Sequence, residues 1–314
     1  MLTFKHKSNF FFEQSPSYEN GYLDVGHGHK IYYEQYGNPD GKPVLFLHGG
    51  PGAGFSTSHK SFFDTKIFRV IFFDQRGSGK SIPYGEIENN NTEALILDIE
   101  RLRKHLKVKQ WHLFGGSWGS TLAILYGISF PKRCLGFILR GIFLGTIDEI
   151  NWFLYDIKKF FPEAHHKFIS YIPKEHQNNI LKWFYKQLNL KERSVNLEAA
   201  AVWAEYENSC STLKYVERPM SGEKSLAIAK IETHYFVNKC FISDNFIKQN
   251  IKKIAHIPAI IVQGRHDVIC PPFNALDLSK LWNAASINLI EDAGHSGFED
   301  NVARKLINAL YMIK

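Results

Sequence analysis

Ser117 lies in Gly115-Gly116-Ser117-Trp118-Gly119, directly behind the apolar run Trp111-His112-Leu113-Phe114. This is a G-x-S-x-G pattern between a predicted strand and a predicted helix. The helix runs from Trp118 to Pro131, where a missing N–H discourages continuation. Flanking glycines allow a sharp turn that would crowd any β-carbon, so the serine hydroxyl is thrust out at its tip. The first N–H groups of the new helix, the positive end of its dipole, lie at the same spot. A serine presented this way is suited to attack a carbonyl.

Such a serine needs a base, and the base needs an orienting acid. Pro258-Ala259-Ile260-Ile261-Val262-Gln263-Gly264 is a predicted strand followed by Arg265-His266-Asp267. Ser286-Ile287-Asn288-Leu289-Ile290 is another, followed by Glu291-Asp292-Ala293-Gly294-His295. Taken singly, Asp267 could be a solvated loop carboxylate and His295 a satisfied loop histidine. Together with Ser117 they fall just past the carboxyl ends of strands, the edge where open parallel sheets bind ligands. The chain order Ser, Asp, His is that of the α/β-hydrolases. A further buried strand, Pro43 to Leu47, opens into His48-Gly49-Gly50-Pro51-Gly52. Backbone N–H groups of Gly49 or Gly50, with that of Trp118, are the expected donors to a carbonyl oxygen gaining charge. His48 is expected to pack or to anchor the loop rather than act as base.

Taken together, His48-Gly49-Gly50-Pro51-Gly52, Asp74-Gln75-Arg76-Gly77-Ser78-Gly79-Lys80-Ser81, Gly115-Gly116-Ser117-Trp118-Gly119-Ser120, Gly264-Arg265-His266-Asp267-Val268 and Gly294-His295 resemble the prolyl aminopeptidases, or proline iminopeptidases. The resemblance extends from about Gly21 to the last helix. It implies an α/β-hydrolase fold and removal of N-terminal proline from peptides by acyl-enzyme chemistry, with neither metal nor organic cofactor. It also implies two amine-binding glutamates. Ala199-Ala200-Ala201-Val202-Trp203-Ala204-Glu205-Tyr206-Glu207 matches one motif, placing a carboxylate at Glu207, and Ala229 to Phe236 matches the other, placing one at Glu232. Tyr206 stands where the family commonly has a second tryptophan, which leaves Glu205 as an alternative to Glu207. Two adjacent carboxylates repel unless a cation lies between them, so an inward-turned pair is a natural ammonium seat; an outward-turned pair is a solvated helix face. Phe143, Phe153 and Phe236 are candidate walls for an apolar ring slot. An esterase acting on small acyl esters is the rival reading, since it shares the nucleophile and differs in what covers it.

The elements that position these residues follow from patterning. Tyr22 to Tyr36 predicts an antiparallel hairpin about Gly26-His27-Gly28-His29, and Pro43 to Leu144 alternates strands with helices, implying a mostly parallel sheet covered on both faces. Asn91 to Leu106 is one such helix, with Thr92 a plausible N-cap and Leu95, Leu97, Ile99, Leu102 and Leu106 directed mostly inward. Strand signals vanish from about Gly145 to Asn245, a helical, aromatic stretch. The expected organisation is therefore a hydrolase domain from 1–144 and 246–314, with a helical cap at 145–245 inserted above the catalytic edge.

At 314 residues with a 44% hydrophobic share, the chain suits one α/β core plus an insert. No apolar run approaches the roughly 18 residues of a membrane span, and Met1 to Gln14 has no sustained apolar signal segment. A cytoplasmic protein, with Cys134, Cys210, Cys240 and Cys270 as free thiols, is the expectation. The charge of +7 comes in short lysine clusters without a nucleic-acid module, so a solvated basic surface is expected. Gly79-Lys80-Ser81 hints at a phosphate loop, yet that pattern needs glycine where Asp74 stands. No metal-ligand spacing occurs, and His27, His29, His165 and His166 read as turn and surface histidines. Oligomeric state is left open, with a monomer plausible.

Overall fold

A computed structural model describes residues 10–313; Met1 to Asn9, at the start of the first expected segment, and Lys314 lie outside that range. Eight strands form one sheet: β1 (Glu19–Gly26), β2 (His29–Gly37), β3 (Lys42–Leu47), β4 (Phe68–Phe73), β5 (Trp111–Ser117), β6 (Cys134–Ile142), β7 (Ala259–Gly264) and β8 (Ala285–Ile290). Their spatial order is β1-β2-β4-β3-β5-β6-β7-β8. β1 pairs β2 antiparallel and β2 pairs β4 antiparallel, while every later pairing is parallel.

The continuous apolar runs have a direct cause, since both faces of the sheet are covered. Successive side chains point to opposite faces, so Leu45 and Leu47 enter one core while Val44 and Phe46 enter the other. The first core is closed by helices α1 (Thr92–His105) and α2 (Trp118–Ser129) through Leu95, Ile99, Leu102, Leu122 and Leu125. Two sequence expectations for α1 are corrected. Its N-cap is Asn91, whose side chain accepts from the Ala94 N–H, and Leu97 is exposed. Thr92 instead donates its hydroxyl proton to the Cys240 carbonyl.

Between β6 and β7 the described residues form no strand. They form α3 (Ile147–Asn151), α4 (Pro162–Ser170), α5 (Ile180–Leu188), α6 (Arg193–Cys210), α7 (Gly222–Val237) and α8 (Phe246–Asn250), joined by short 3₁₀ and π turns. Aromatic rings hold this layer together: Phe168 stacks on Tyr206 at 4.2 Å and on Phe184 at 5.0 Å, and Phe184 meets Trp203 edge-on at 5.1 Å. After β7 come α9 (Pro272–Leu281) and α10 (Asp300–Met312), the latter closing the second core with Val302, Leu306 and Leu310. Two further corrections concern histidines. His165 and His29 are buried, their Nε2 atoms bonded to the carbonyls of Leu154 and Glu88, because each caps backbone inside the packed layer.

Helix α7 is seated directly on the sheet's carboxyl edge. A β-carbon on Gly52 would lie 3.0 Å from Ile228 Cα, and one on Gly77 would lie 2.9 Å from Ile231 Cδ1. Tyr235 packs edge-on against Trp118 at 5.0 Å and donates to Asn90 Oδ1. The loop after β4 is held by Arg76, whose Nε and Nη2 bond Asp98 of α1 at 2.6 and 2.9 Å with both side chains buried. Asp74 accepts from the N–H groups of Phe55 and Lys80, so its carboxylate ties the loop after β4 to the segment after β3. Removing one partner of a buried bidentate pair strands the other charge. Asp98→Ala should therefore lower unfolding free energy by about 3–5 kcal/mol, read from urea denaturation.

Candidate active site

Ser117 ends β5 and caps α2 with φ 57° and ψ −128°, a left-handed conformation that costs a non-glycine residue about 1–3 kcal/mol. Glycine on either side makes the turn possible. A β-carbon at Gly115 would stand 2.3 Å from the Gly119 carbonyl oxygen, and one at Gly119 would stand 2.1 Å from that of Leu47. Gly49 lies alongside: its β-carbon would be 3.5 Å from Ser117 Cβ. Gly50, at φ 105°, turns against the backbone of Gly52 and Ala53 within its own loop. Trp118 is the first residue of α2, where an N–H has no partner within the helix.

His48 is the anchor of this glycine loop. Its Nδ1–H donates to the Gly49 carbonyl, its Nε2 accepts from the Gln75 N–H at 3.0 Å, and the Gln75 side chain links the His48 carbonyl to Trp118 Nε1. Burial lowers the His48 pKa to about 4, which keeps the neutral ring this network needs.

The acid and base meet at the neighbouring strand ends. Asp267 Oδ2 accepts from His295 Nδ1 at 2.8 Å and from Gln263 Nε2 at 3.1 Å, while Oδ1 accepts from the Cys270 N–H at 2.8 Å. The carboxylate thus fixes the tautomer that leaves a lone pair on Nε2. Burial, aided by the nearby Arg140 charge, holds the His295 pKa below its ordinary value despite Asp267. The Ser117 hydroxyl does not reach Nε2; its polar neighbour is Cys270 Sγ at 3.9 Å. Nε2 instead accepts from Arg140 Nη1 at 2.9 Å.

Above these residues, Glu232 on α7 is buried and accepts from Trp203 Nε1 at 2.5 Å. Burial and the neighbouring Glu207 carboxylate raise its pKa well above the usual range. Burial likewise raises Glu207 to about 7, opposed by the Arg140 charge. Glu205 points elsewhere, paired with Lys167; the alternative left open by the sequence thus falls to Glu207 as the residue beside Glu232. Phe143, Phe153 and Phe236 are buried together, with ring centroids 6.1 Å apart for Phe143–Phe236 and 6.2 Å for Phe153–Phe236, next to Trp203. Tyr206 donates its hydroxyl to the Phe153 carbonyl.

Sequence reasoning missed three residues of this site. Gln263, which orients Asp267, carried no local signal beyond its type, and Trp203, which holds Glu232, stood within the quoted Ala199–Glu207 motif without a role of its own. Arg140 did carry one, as a charge ending the apolar strand Cys134 to Leu139 at the catalytic edge. Among the described residues no group of three or more His, Cys, Asp or Glu could hold a metal ion, and no helix is long and apolar enough to cross a membrane. Cys134, Cys210, Cys240 and Cys270 are buried free thiols.

A strand-to-helix serine elbow on a mostly parallel sheet, with an acid and a histidine on later strand ends, defines an α/β hydrolase. Residues 42–302 match the α/β hydrolase fold family. The chain is 44% identical over 298 residues to a probable proline iminopeptidase from Leptolyngbya boryana, covering 93% of each. It is 43% identical over 314 residues to the proline iminopeptidase of Arabidopsis thaliana, covering 98% of this chain and 82% of that one. Among solved structures, an esterase from Exiguobacterium antarcticum shares the fold with a TM-score of 0.61 at 19% identity, covering 94% of this chain and 99% of that one. The chain belongs to the proline iminopeptidase family.

The Cys270 thiol beside Ser117 yields a direct test. Burial holds its pKa well up, so the thiol reacts slowly, but an added carbamidomethyl group would occupy the space in front of the serine. Prolonged iodoacetamide treatment should abolish hydrolysis by the native protein and spare Cys270→Ser, followed by residual activity; equal sensitivity would remove Cys270 as the cause.

Proposed function

We propose that this chain is a serine aminopeptidase that releases N-terminal proline from peptides through an acyl-enzyme. Ser117 Oγ attacks the prolyl carbonyl, His295 Nε2 takes the hydroxyl proton, and Asp267 stabilises the resulting imidazolium. N–H groups of Gly49, Gly50 and Trp118 receive the oxyanion. His295 then gives its proton to the departing amine, and water, deprotonated by the same ring, releases proline.

The observation that carries this reading over an esterase is the buried pair Glu207 and Glu232. The Glu207 charge raises the cost of ionising Glu232, burial raises that of both, and neither has a basic partner within ion-pair distance among the described residues. A pocket for neutral acyl groups has no use for two such carboxylates, whereas a secondary ammonium seated between them offsets both charges. Phe143, Phe153 and Phe236, clustered beside Trp203, supply apolar walls suited to the pyrrolidine ring. Residues 145–245, expected from the sequence as a cap, are assigned that role because they carry both glutamates and lie over the catalytic edge. Residues 1–144 and 246–314 are the hydrolase portion in this reading. Peptides are the partners it requires; a cytoplasmic location and a cofactor-free reaction accompany it.

Ser117→Ala should lower kcat for a prolyl arylamide by about five to six orders of magnitude in a steady-state assay; turnover near the native rate would sink the assignment. Glu207→Gln should lower kcat/KM for that substrate about 30-fold or more and change a small butyryl ester little, as expected for truncating one side of a buried charge pair. Equal losses on both substrates would argue for an esterase. The pH profile has a defined sign. Glu207, raised to about 7, is mostly neutral below that pH and charged above it. kcat/KM for the prolyl substrate should therefore climb as pH passes through about 7, and the neutral ester should lack this step. Saturating prolyl substrate should suppress it too, because a bound cation draws the carboxyl pKa down.

A further inference from the structure

An unprotonated imidazole nitrogen has one lone pair. In His295 that lone pair, on Nε2, is filled by Arg140 Nη1–H at 2.9 Å, and the same Nη1 donates to the His295 carbonyl at 2.8 Å. Ser117 cannot donate to the same site at the same time. The guanidinium has a built seat there. A β-carbon on Gly116 would lie 2.5 Å from Arg140 Nη2 and 2.8 Å from its Cζ, so glycine immediately before the nucleophile leaves room for this charge. Its other electrostatic neighbours include Asp267 and Glu207, which places Arg140 between the proton-transfer pair and the acidic pocket.

We propose that Arg140 is a latch on the general base: without substrate it occupies His295 Nε2, and a cation seated between Glu207 and Glu232 draws it off so that Ser117 can donate there. Arg140 is thus a positioning residue acting through His295, and the proposal rests on the triad and amine-pocket reading above. The driving force is charge balance. Two buried carboxylates cannot both ionise cheaply when alone. A cation between them allows both to ionise, their protons passing to solvent, and two negative charges against one positive leave an excess of one. The positive charge already acting on Glu207 is the Arg140 guanidinium, and any shift of it toward that carboxylate breaks its bond to Nε2. Hydrolysis is then armed by the correct amine rather than by any acyl group that reaches the serine.

Methanesulfonyl fluoride tests this on the full chain, since it is small and uncharged. Ser117 Oγ forms an S–O bond, fluoride leaves, and the hydroxyl proton passes to His295. Sulfonylation of Ser117, followed by intact mass with Ser117→Ala as the blank, should be accelerated about tenfold or more by pyrrolidine hydrochloride, the loss of one charge-assisted hydrogen bond. Arg140→Met should react at the accelerated rate without pyrrolidine and gain nothing from it, and Arg140→Lys should restore the dependence. Glu207→Gln should abolish the acceleration. Pyrrolidine that slows the native protein or leaves its rate unchanged overturns the latch, even if Arg140→Met does not fold. Failure to label Ser117 under any condition overturns the catalytic reading beneath it as well.

Discussion

The site depends on backbone approaching backbone at the carboxyl edge of the sheet, closer than any β-carbon would permit. Gly119 sits against the Leu47 carbonyl, Gly115 against that of Gly119, and Gly264 against that of Gly294, where an added β-carbon would stand 2.1, 2.3 and 2.0 Å from oxygen. These contacts draw the loops after β3, β5, β7 and β8 together. Without them the loops that carry Ser117, Asp267 and His295 could not pack this closely at the strand ends. The strained backbone of Ser117 is tolerable because the same packed surroundings over-determine it.

The layer above the edge is fitted to it by the same means. Gly52 and Gly77 admit helix α7, and Tyr235 rests on Trp118, so the helix bearing Glu232 shares a contact surface with the residue that follows Ser117. On the other side, the Ser211 carbonyl at the end of α6 accepts from the N–H groups of both His295 and Ser296. Glu299 receives the N–H groups of Leu213 and Gly294. The helical layer and the carboxyl edge of the sheet are therefore one hydrogen-bonded unit.

Much of this was legible beforehand because it rests on local rules. The turn glycines, the buried strand from Pro43 to Leu47, and the helix expected from Asn91 to Leu106 are consequences of neighbouring residue types. The reading of His48 as a loop anchor agrees with its bonds to Gly49 and Gln75. What escaped depends on tertiary partners. His165 reads as a surface histidine and His29 as a turn histidine, since nothing adjacent in sequence reveals the Leu154 and Glu88 carbonyls they meet. Thr92 and Asn91 are both competent caps, and the choice fell to Asn91 once Thr92 bonded Cys240 across 148 residues. Glu205 and Glu207 differ by two positions, about 200° on a helix, so only the packing of α6 decides which turns inward. Gln263 and Arg140 act on atoms contributed by distant loops.

The fastening of Ser211 to His295 carries an evolutionary corollary. On the proposed reading, the stretch that chooses the amine also suspends the proton acceptor, so the two properties cannot drift independently. Exchanging the lid for one of different taste would have to preserve the geometry of a single carbonyl at its rim, or forfeit turnover along with selectivity.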